Sequence, residues 1–155
     1  PQMTTIDESL LSGKCRDRPI CPALRTVLAQ AGRAAGIGTI MIVSGGQPGS
    51  RGCRTGSSRH DNGRAADLKL VSGGATFRFT NQSAPSAVVT FVTEAAAAGA
   101  IGIGAGADYM GPETLHVGFG SNVEDTRQLV WGAQGRSANA PAWLRTAARS
   151  GWGRT

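Results

Sequence analysis

Apolar side chains recur at helical spacing in two segments of the chain. In residues 22–36, Pro22 suits a first helical turn and Gly36 suits a helix end. Residues 83–99 form the second, Ala-rich segment, with Ser83 as a candidate cap. A third, short helix is predicted over residues 5–13. The apolar faces of the two long segments consist of Leu24, Val27, Leu28 and Ala31, and of Val88, Phe91, Val92 and Ala95.

Shorter apolar runs, rich in β-branched residues, predict the strands of a sheet. Residues 40–43 read as a buried strand, and residues 64–71 as a second strand with residues 76–80 as a candidate partner. Residues 114–119 are also strand-like. The Gly-rich stretch 99–106 reads as a strand or turn, because it opens no helix as a dinucleotide-binding loop would. This order predicts an α+β domain with helices packed on one side of a small antiparallel sheet.

Length and composition fit a single domain without a linker. The chain has 155 residues, of which 23 are glycine, and its motif-bearing core spans about 22–120, followed by a less regular tail over 121–155. So many glycines make folding costly in entropy, so a metal ion or a disulfide would add useful constraint. Cys15 and Cys21 bracket a short loop and are candidates for a disulfide, which would leave Cys53 free or intermolecular.

The chain carries a formal net charge of +6 and attracts polyanions. Nucleic acid and the anionic bacterial envelope are both candidates, but no run of five like charges favours a nucleic-acid-binding arm. No apolar stretch is long enough to span a membrane. The N-terminal sequence shows no basic region followed by an apolar run, so no secretory signal is visible.

Two short segments carry the candidate chemistry. His60 and Asp67 lie in the first, and Glu113 and His116 in the second. Catalytic zinc takes three protein ligands from His, Asp or Glu and keeps one position open, so His60, Asp67 and His116 form a suitable set. A further carboxylate, Glu113, would accept a proton from water. Three residues separate it from His116, so convergence requires a bend in this strand, which Pro112 would permit.

The pattern S-x-H-x-x-G-x-A-x-D-L, followed by E-x-x-H, resembles that of the D-alanyl-D-alanine metallopeptidases. The matching residues are Ser58, His60, Gly63, Ala65, Asp67, Leu68, Glu113 and His116. This family includes zinc D-Ala-D-Ala carboxypeptidases, dipeptidases and phage endolysins that cut L-Ala-D-Glu bonds. The resemblance implies a hedgehog/D-Ala-D-Ala-peptidase-like fold, zinc on His60, Asp67 and His116, and Glu113 as the catalytic base.

Two positions depart from this family pattern. The family has an arginine shortly after a Ser-Gly pair, whereas here the matching place holds Gly46 and Gln47. Arg51 or Arg54 on the same loop is therefore a candidate for binding the substrate, because a guanidinium forks onto a carboxylate. After His116 the family commonly has Trp-His or Trp-Asp, where this chain has Val-Gly. Ser58 is expected to brace the loop rather than act as a nucleophile.

Three functions follow as hypotheses. The first is a zinc peptidase that hydrolyses peptide bonds in peptidoglycan and acts at the cell wall or from a virion. The second is an inactive relative that serves as a structural or wall-binding part of a phage tail, motivated by Gln47 and by a tail that reads as appended. The third is a basic nucleic-acid-binding module, motivated only by a sequence pI of about 10.3.

Overall fold

A mixed seven-stranded sheet is the centre of the structure, a computed structural model that describes residues 3–154. The helices and strands, in chain order, are β1 (Thr5–Asp7), α1 (Pro22–Ala35), β2 (Thr39–Ser44), β3 (Ala65–Ser72), β4 (Ala75–Thr76), α2 (Ser86–Ala97), β5 (Gly102–Gly106), β6 (Gly111–Gly118), β7 (Leu129–Trp131) and α3 (Ala142–Trp152). The strand order is β1-β2-β3-β6-β5-β7, and β4 pairs with β3. β1 is parallel to β2 and β7 is parallel to β5, whereas the other pairs are antiparallel.

The three helices pack on one face of this sheet and share one hydrophobic core. Alternate residues of the central strands point into that core, among them Ile42, Leu68, Leu115 and Ile103. The opposite face of the sheet carries polar side chains, including those of Asp67 and His116. None of the helices in residues 3–154 has the length and apolar content that a membrane span requires.

Several predicted elements are confirmed, and α1 is the clearest of them. It begins at Pro22, ends at Ala35 and is capped by Gly36, whose φ of 70° is the left-handed conformation that glycine adopts easily. Its predicted face is buried, with Leu24 and Leu28 fully inaccessible. The α+β class is also confirmed.

The prediction of a small antiparallel sheet was wrong. The sheet is larger and mixed, because two short strands that the sequence did not indicate join its edges in parallel. One of them, Thr5–Asp7, replaces the predicted helix over residues 5–13, where β-branched Thr5 and Ile6 extend along β2. Of residues 76–80, only Thr76 belongs to the strand that pairs with β3.

The C-terminal tail contains more secondary structure than its sequence pattern indicated. It supplies both β7 and α3, whose buried residues Leu144, Ala147, Ala148 and Gly151 follow helical spacing. Gly151 lies against the backbone of Thr93 on α2, where a Cβ would overlap the Thr93 carbonyl oxygen. Close contact between the two helices therefore depends on this glycine, and the tail is part of the same core.

The cysteine pairing differs from the prediction. Cys15 is bonded to Cys53, 38 residues away in sequence, and Cys21 is the free cysteine. Cys21 precedes α1 and donates its backbone N–H to the Gly63 carbonyl oxygen at 2.9 Å. The short loop between Cys15 and Cys21 instead runs along residues 45–46, which brings Cys15 to the loop that contains Cys53.

Loss of this disulfide should destabilise the protein. We expect Cys15→Ser with Cys53→Ser to lower the free energy of unfolding by about 2–4 kcal/mol, because the unfolded chain loses a long cross-link. Urea unfolding under oxidising conditions measures the change, and Cys21→Ala is the matched control with an intact disulfide. Thiol titration of the denatured, unreduced wild type should find a single free cysteine; three would contradict the pairing.

Candidate metal centre

The register of β3 and β6 places Asp67 and His116 directly opposite each other. They are paired across the two strands, and their side chains point away from the helices, since Leu68 and Leu115 point into the core. His116 Nδ1 lies 3.1 Å from Asp67 Oδ1. Both residues are buried, although neither belongs to the apolar core. Two adjacent central strands thus hold an acid and an imidazole on the open face of the sheet.

His60 reaches the same place from a loop. It ends a short 3₁₀ turn, Ser58–His60, and its backbone carbonyl oxygen accepts hydrogen bonds from Gln47 and Gly63. Gly63 has a φ of 75°, and a Cβ there would overlap the backbone of Cys21 and Pro19. This position therefore requires glycine, because the loop after His60 passes against the backbone of residues 19–21.

The ring of His60 is oriented by a backbone oxygen. Its Nδ1 lies 2.9 Å from the Gly45 carbonyl oxygen, which only accepts, so Nδ1 carries the proton. Nε2 is then left with a lone pair and lies 3.6 Å from Asp67 Oδ2. A backbone carbonyl that holds the second ring nitrogen is a common arrangement for histidines that bind metals.

These three side chains form a group that can hold a metal ion. One potential ligand atom from each of His60, Asp67 and His116 lies within 4.8 Å of the others. Ligands at about 2.1 Å around a tetrahedral divalent cation are separated by roughly 3.4 Å, and His60 Nε2 lies close to this spacing from Asp67 Oδ2, at 3.6 Å. His116 Nε2 is buried without a hydrogen-bond partner in the part of the chain that the structure describes. The donor set and its spacing fit a divalent metal.

Burial and neighbouring charges set the protonation of the site. Burial is the largest cause that lowers the pKa of His60, to about 4, and the nearby His116 adds to it. Burial raises the pKa of the Asp67 carboxyl, but the hydrogen bond from His116 and the charges of His116, His60 and Arg16 outweigh it. The pKa of Asp67 therefore lies below its usual value. At neutral pH the site offers a neutral His60 and an ionised Asp67, the forms that bind metals.

The trio lies in a cleft of about 530 Å³. The described residues that line it are Arg16, Ser57, Arg59, His60, Asp67, Tyr109, Met110, His116, Leu129, Trp131 and Gly135. Two of these are arginines, and Asp67 is the sole carboxylate among them. Arg16 Nη1 lies 3.4 Å from Asp67 Oδ2, and the guanidinium also donates to Thr55 Oγ1. The cleft is therefore positively charged around its buried acid.

Glu113 is held elsewhere. Its carboxylate oxygens lie 3.4 Å from Lys69 Nζ and 3.1 Å from Arg78 Nη1, and it is not among the residues that line the cleft. The predicted bend between Glu113 and His116 is wrong, because β6 runs without interruption through both residues. Their odd separation along a continuous strand puts the two side chains out of phase.

The candidate substrate-binding residues occupy supporting positions in the loops. Gln47 is buried, donates to Ser57 O and Asp61 Oδ1 at 2.8 Å each, and accepts from Thr55. Arg54 Nη2 lies 2.6 Å from Asp61 Oδ2. These contacts brace the loop that carries His60. Arg51 is exposed, and Ser58 Oγ donates to Ser121 Oγ at 3.0 Å; neither is among the cleft-lining residues.

Four residues that line the cleft were not predicted from the sequence: Arg16, Arg59, Tyr109 and Trp131. Arg16 is adjacent to Cys15 in the N-terminal segment. The disulfide between Cys15 and Cys53, which the sequence did not indicate, brings this segment to the cleft. The sequence of β5 contains a pattern that could have indicated this wall of the site. Glycine alternates with Ile103 and Ala105, which predicts a strand with glycines alone on one face.

Comparison with known proteins adds no family assignment. No family model matches the sequence, and no curated protein matches it.

The buried histidine makes the stability of the metal-free protein depend on pH. Between pH 6.5 and about 4 the unfolded chain binds a proton at position 60 that the folded chain does not. We therefore expect the free energy of unfolding to fall by roughly 3 kcal/mol across this window. Urea unfolding in the presence of a chelator measures it. His60→Gln should flatten the profile there, and an equally steep profile in that variant would contradict the assignment. Asp67 contributes only below about pH 4, where its unfolded carboxyl protonates.

Proposed function

We propose that this protein is a zinc-dependent peptidase that hydrolyses peptide bonds of bacterial peptidoglycan. The observation that carries the proposal is the buried His60, Asp67 and His116 trio in an open, basic cleft. Two imidazoles and one carboxylate are a donor set typical of catalytic zinc, which leaves a position for water or substrate. The resemblance of the two sequence motifs to D-alanyl-D-alanine metallopeptidases supplies the substrate class and a hedgehog/D-Ala-D-Ala-peptidase-like fold, both part of this proposal.

The residues of the cleft have separable roles in this proposal. His60, Asp67 and His116 hold the cation, which when bound supplies Lewis-acid activation of water and of a carbonyl group. Gly45 fixes the tautomer of His60 through its carbonyl oxygen. Arg16 stabilises the ionised form of Asp67 and adds positive charge where a tetrahedral oxyanion would develop. Action at the cell wall, from outside the cell or from a virion, belongs to the same proposal.

Glu113 remains the proposed general base. For this role its carboxylate must leave Lys69 and Arg78 and turn toward the cleft. Those two contacts are partly exposed, and exposed ion pairs contribute only about 0–1 kcal/mol each. Breaking these ion pairs therefore costs little, but bringing the carboxylate to the face of His116 also requires a local change in the backbone of β6.

The same ion pairs favour a second candidate function. With Glu113 held by two cations, the cleft keeps a metal trio but has no second carboxylate among its described lining residues. An inactive relative that binds cell-wall peptides as a structural part of a phage tail would have such a site. The two candidates share metal binding and differ in turnover.

Metal content is the first test. Purified protein dialysed against metal-free buffer should retain close to one zinc ion per chain by elemental mass spectrometry, since three protein ligands enclose one position. His60→Ala and His116→Ala should each lose it. Glu94→Gln, which changes a carboxylate on α2 paired with Arg154, should retain it. A wild type without metal, or a His60→Ala variant with full occupancy, would overturn the metal centre.

Turnover is the second test. Incubation with purified peptidoglycan should release new amino groups, and mass spectrometry of the muropeptides identifies the bond that is cut. Glu113→Gln should reduce the rate by about 10²- to 10⁴-fold with zinc still bound, because a general base is removed. Glu94→Gln should cleave at the wild-type rate. Equal rates in Glu113→Gln and wild type would remove Glu113 as base, and zinc-loaded wild type without cleavage would favour the inactive relative.

A further inference from the structure

One wall of the cleft is built on β5, which presents only glycines on this face of the sheet. A Cβ on Gly102 would overlap the guanidinium of Arg59, and a Cβ on Gly104 would overlap the indole of Trp131. Arg59 Cζ lies 4.7 Å from the centre of the Trp131 ring, and Trp131 Nε1 donates to Tyr109 Oη at 3.2 Å. The bare face of β5 therefore accommodates a stacked arginine and tryptophan beside the metal trio.

The guanidinium of Arg59 is incompletely bonded. Its one hydrogen bond to the described residues runs from Nη1 to the Phe119 carbonyl oxygen at 3.3 Å. Asp125 is the nearby negative charge. Asp125 itself forms a salt bridge with Arg127, with Nε 2.9 Å from Oδ1. Arg59 therefore reaches the cleft half-buried, with free donors and without a carboxylate bonded to it.

The single acid of the cleft does not satisfy Arg59 either. Asp67 contacts both histidines and Arg16. A bound divalent cation would add further positive charge to the same cleft. Positive charge with unused donors in a partly water-excluded cleft favours an anionic ligand, and the planar fork of a guanidinium matches a carboxylate.

We infer that Arg59, laid on Trp131 over the glycines of β5, is a specificity-determining residue that binds a carboxylate of an acidic peptide in the cleft. This inference rests on the proposed function for the peptide class of the ligand. Met110 and Leu129 supply apolar surface for the peptide next to this pair. The carboxylate belongs either to the C-terminus of the peptide or to an acidic residue within it.

Peptide binding to the metal-free protein tests the inference without turnover. The probe is the tripeptide L-Ala-γ-D-Glu-L-Lys, titrated into isotopically labelled protein and followed by NMR, including the indole N–H of Trp131. We expect Arg59→Gln to raise the Kd about 10- to 100-fold, because charge-assisted hydrogen bonds are lost. Arg59→Lys keeps the charge without the fork and should give an intermediate Kd.

Two peptide analogues distinguish the sources of the carboxylate. One carries a C-terminal amide, and the other carries an amide in place of the free α-carboxyl of D-Glu. The analogue that lacks the bound carboxylate should bind wild type weakly, and Arg59→Gln should weaken it no further. Arg33→Gln removes the same charge from the exposed end of α1, outside the lining of the cleft, and is the matched control.

The outcomes separate this inference from the proposed function. Equal Kd values for Arg59→Gln and wild type would overturn the inference, as would an equal loss in Arg33→Gln, which would indicate diffuse charge attraction. Thermal unfolding checks that each variant is folded, and Arg59→Lys with the two amides repeats the test if Arg59→Gln is not. Peptide binding that depends on Arg59 in a protein without zinc or cleavage would retain the inference and reject the peptidase.

Discussion

The antiparallel register between β3 and β6 is the constraint on which the site depends. It sets Asp67 opposite His116, and because alternate residues of a strand face opposite sides, it also sends Leu68 and Leu115 into the core. A slip by one residue would bury the acid against the helices and expose the leucines. The hydrophobic core therefore fixes two of the three candidate ligands, and the third, His60, is fixed by backbone bonds between neighbouring loops.

Positions without side chains shape the site as much as the ligands do. Gly63 lets the loop of His60 pass close to the chain before α1, and the glycines of β5 leave room for Trp131 and Arg59. At Gly63 one backbone segment lies against another, and on β5 an indole ring and a guanidinium lie against the backbone; a Cβ would block each of these contacts. The high glycine content thus has a structural explanation at the cleft, where close packing of backbone and ring makes one wall.

Two arginines, one close to a candidate ligand in sequence and one distant, supply positive charge around the trio. Arg16 belongs to the N-terminal segment, which the disulfide between Cys15 and Cys53 joins to the loop before His60. Arg59 directly precedes His60 in the sequence. Glu113 forms ion pairs with Lys69 and Arg78 instead. The arrangement stabilises a deprotonated Asp67 and a neutral His60, and it holds the carboxylate of Glu113 outside the cleft.

The sequence by itself determined the local elements and the candidate ligands. Helical spacing indicated α1 and α2, a β-branched apolar run indicated β2, an apolar segment indicated β3, and two histidines near carboxylates indicated His60, Asp67 and His116, because these depend on residue type and short-range order. The tertiary structure alone decided the parallel edge strands, the Cys15–Cys53 bond, the position of Arg16, the stacking of Arg59 on Trp131 and the ion pairs of Glu113. These depend on contacts between residues far apart in the chain, and no local pattern records which distant backbone a segment will meet.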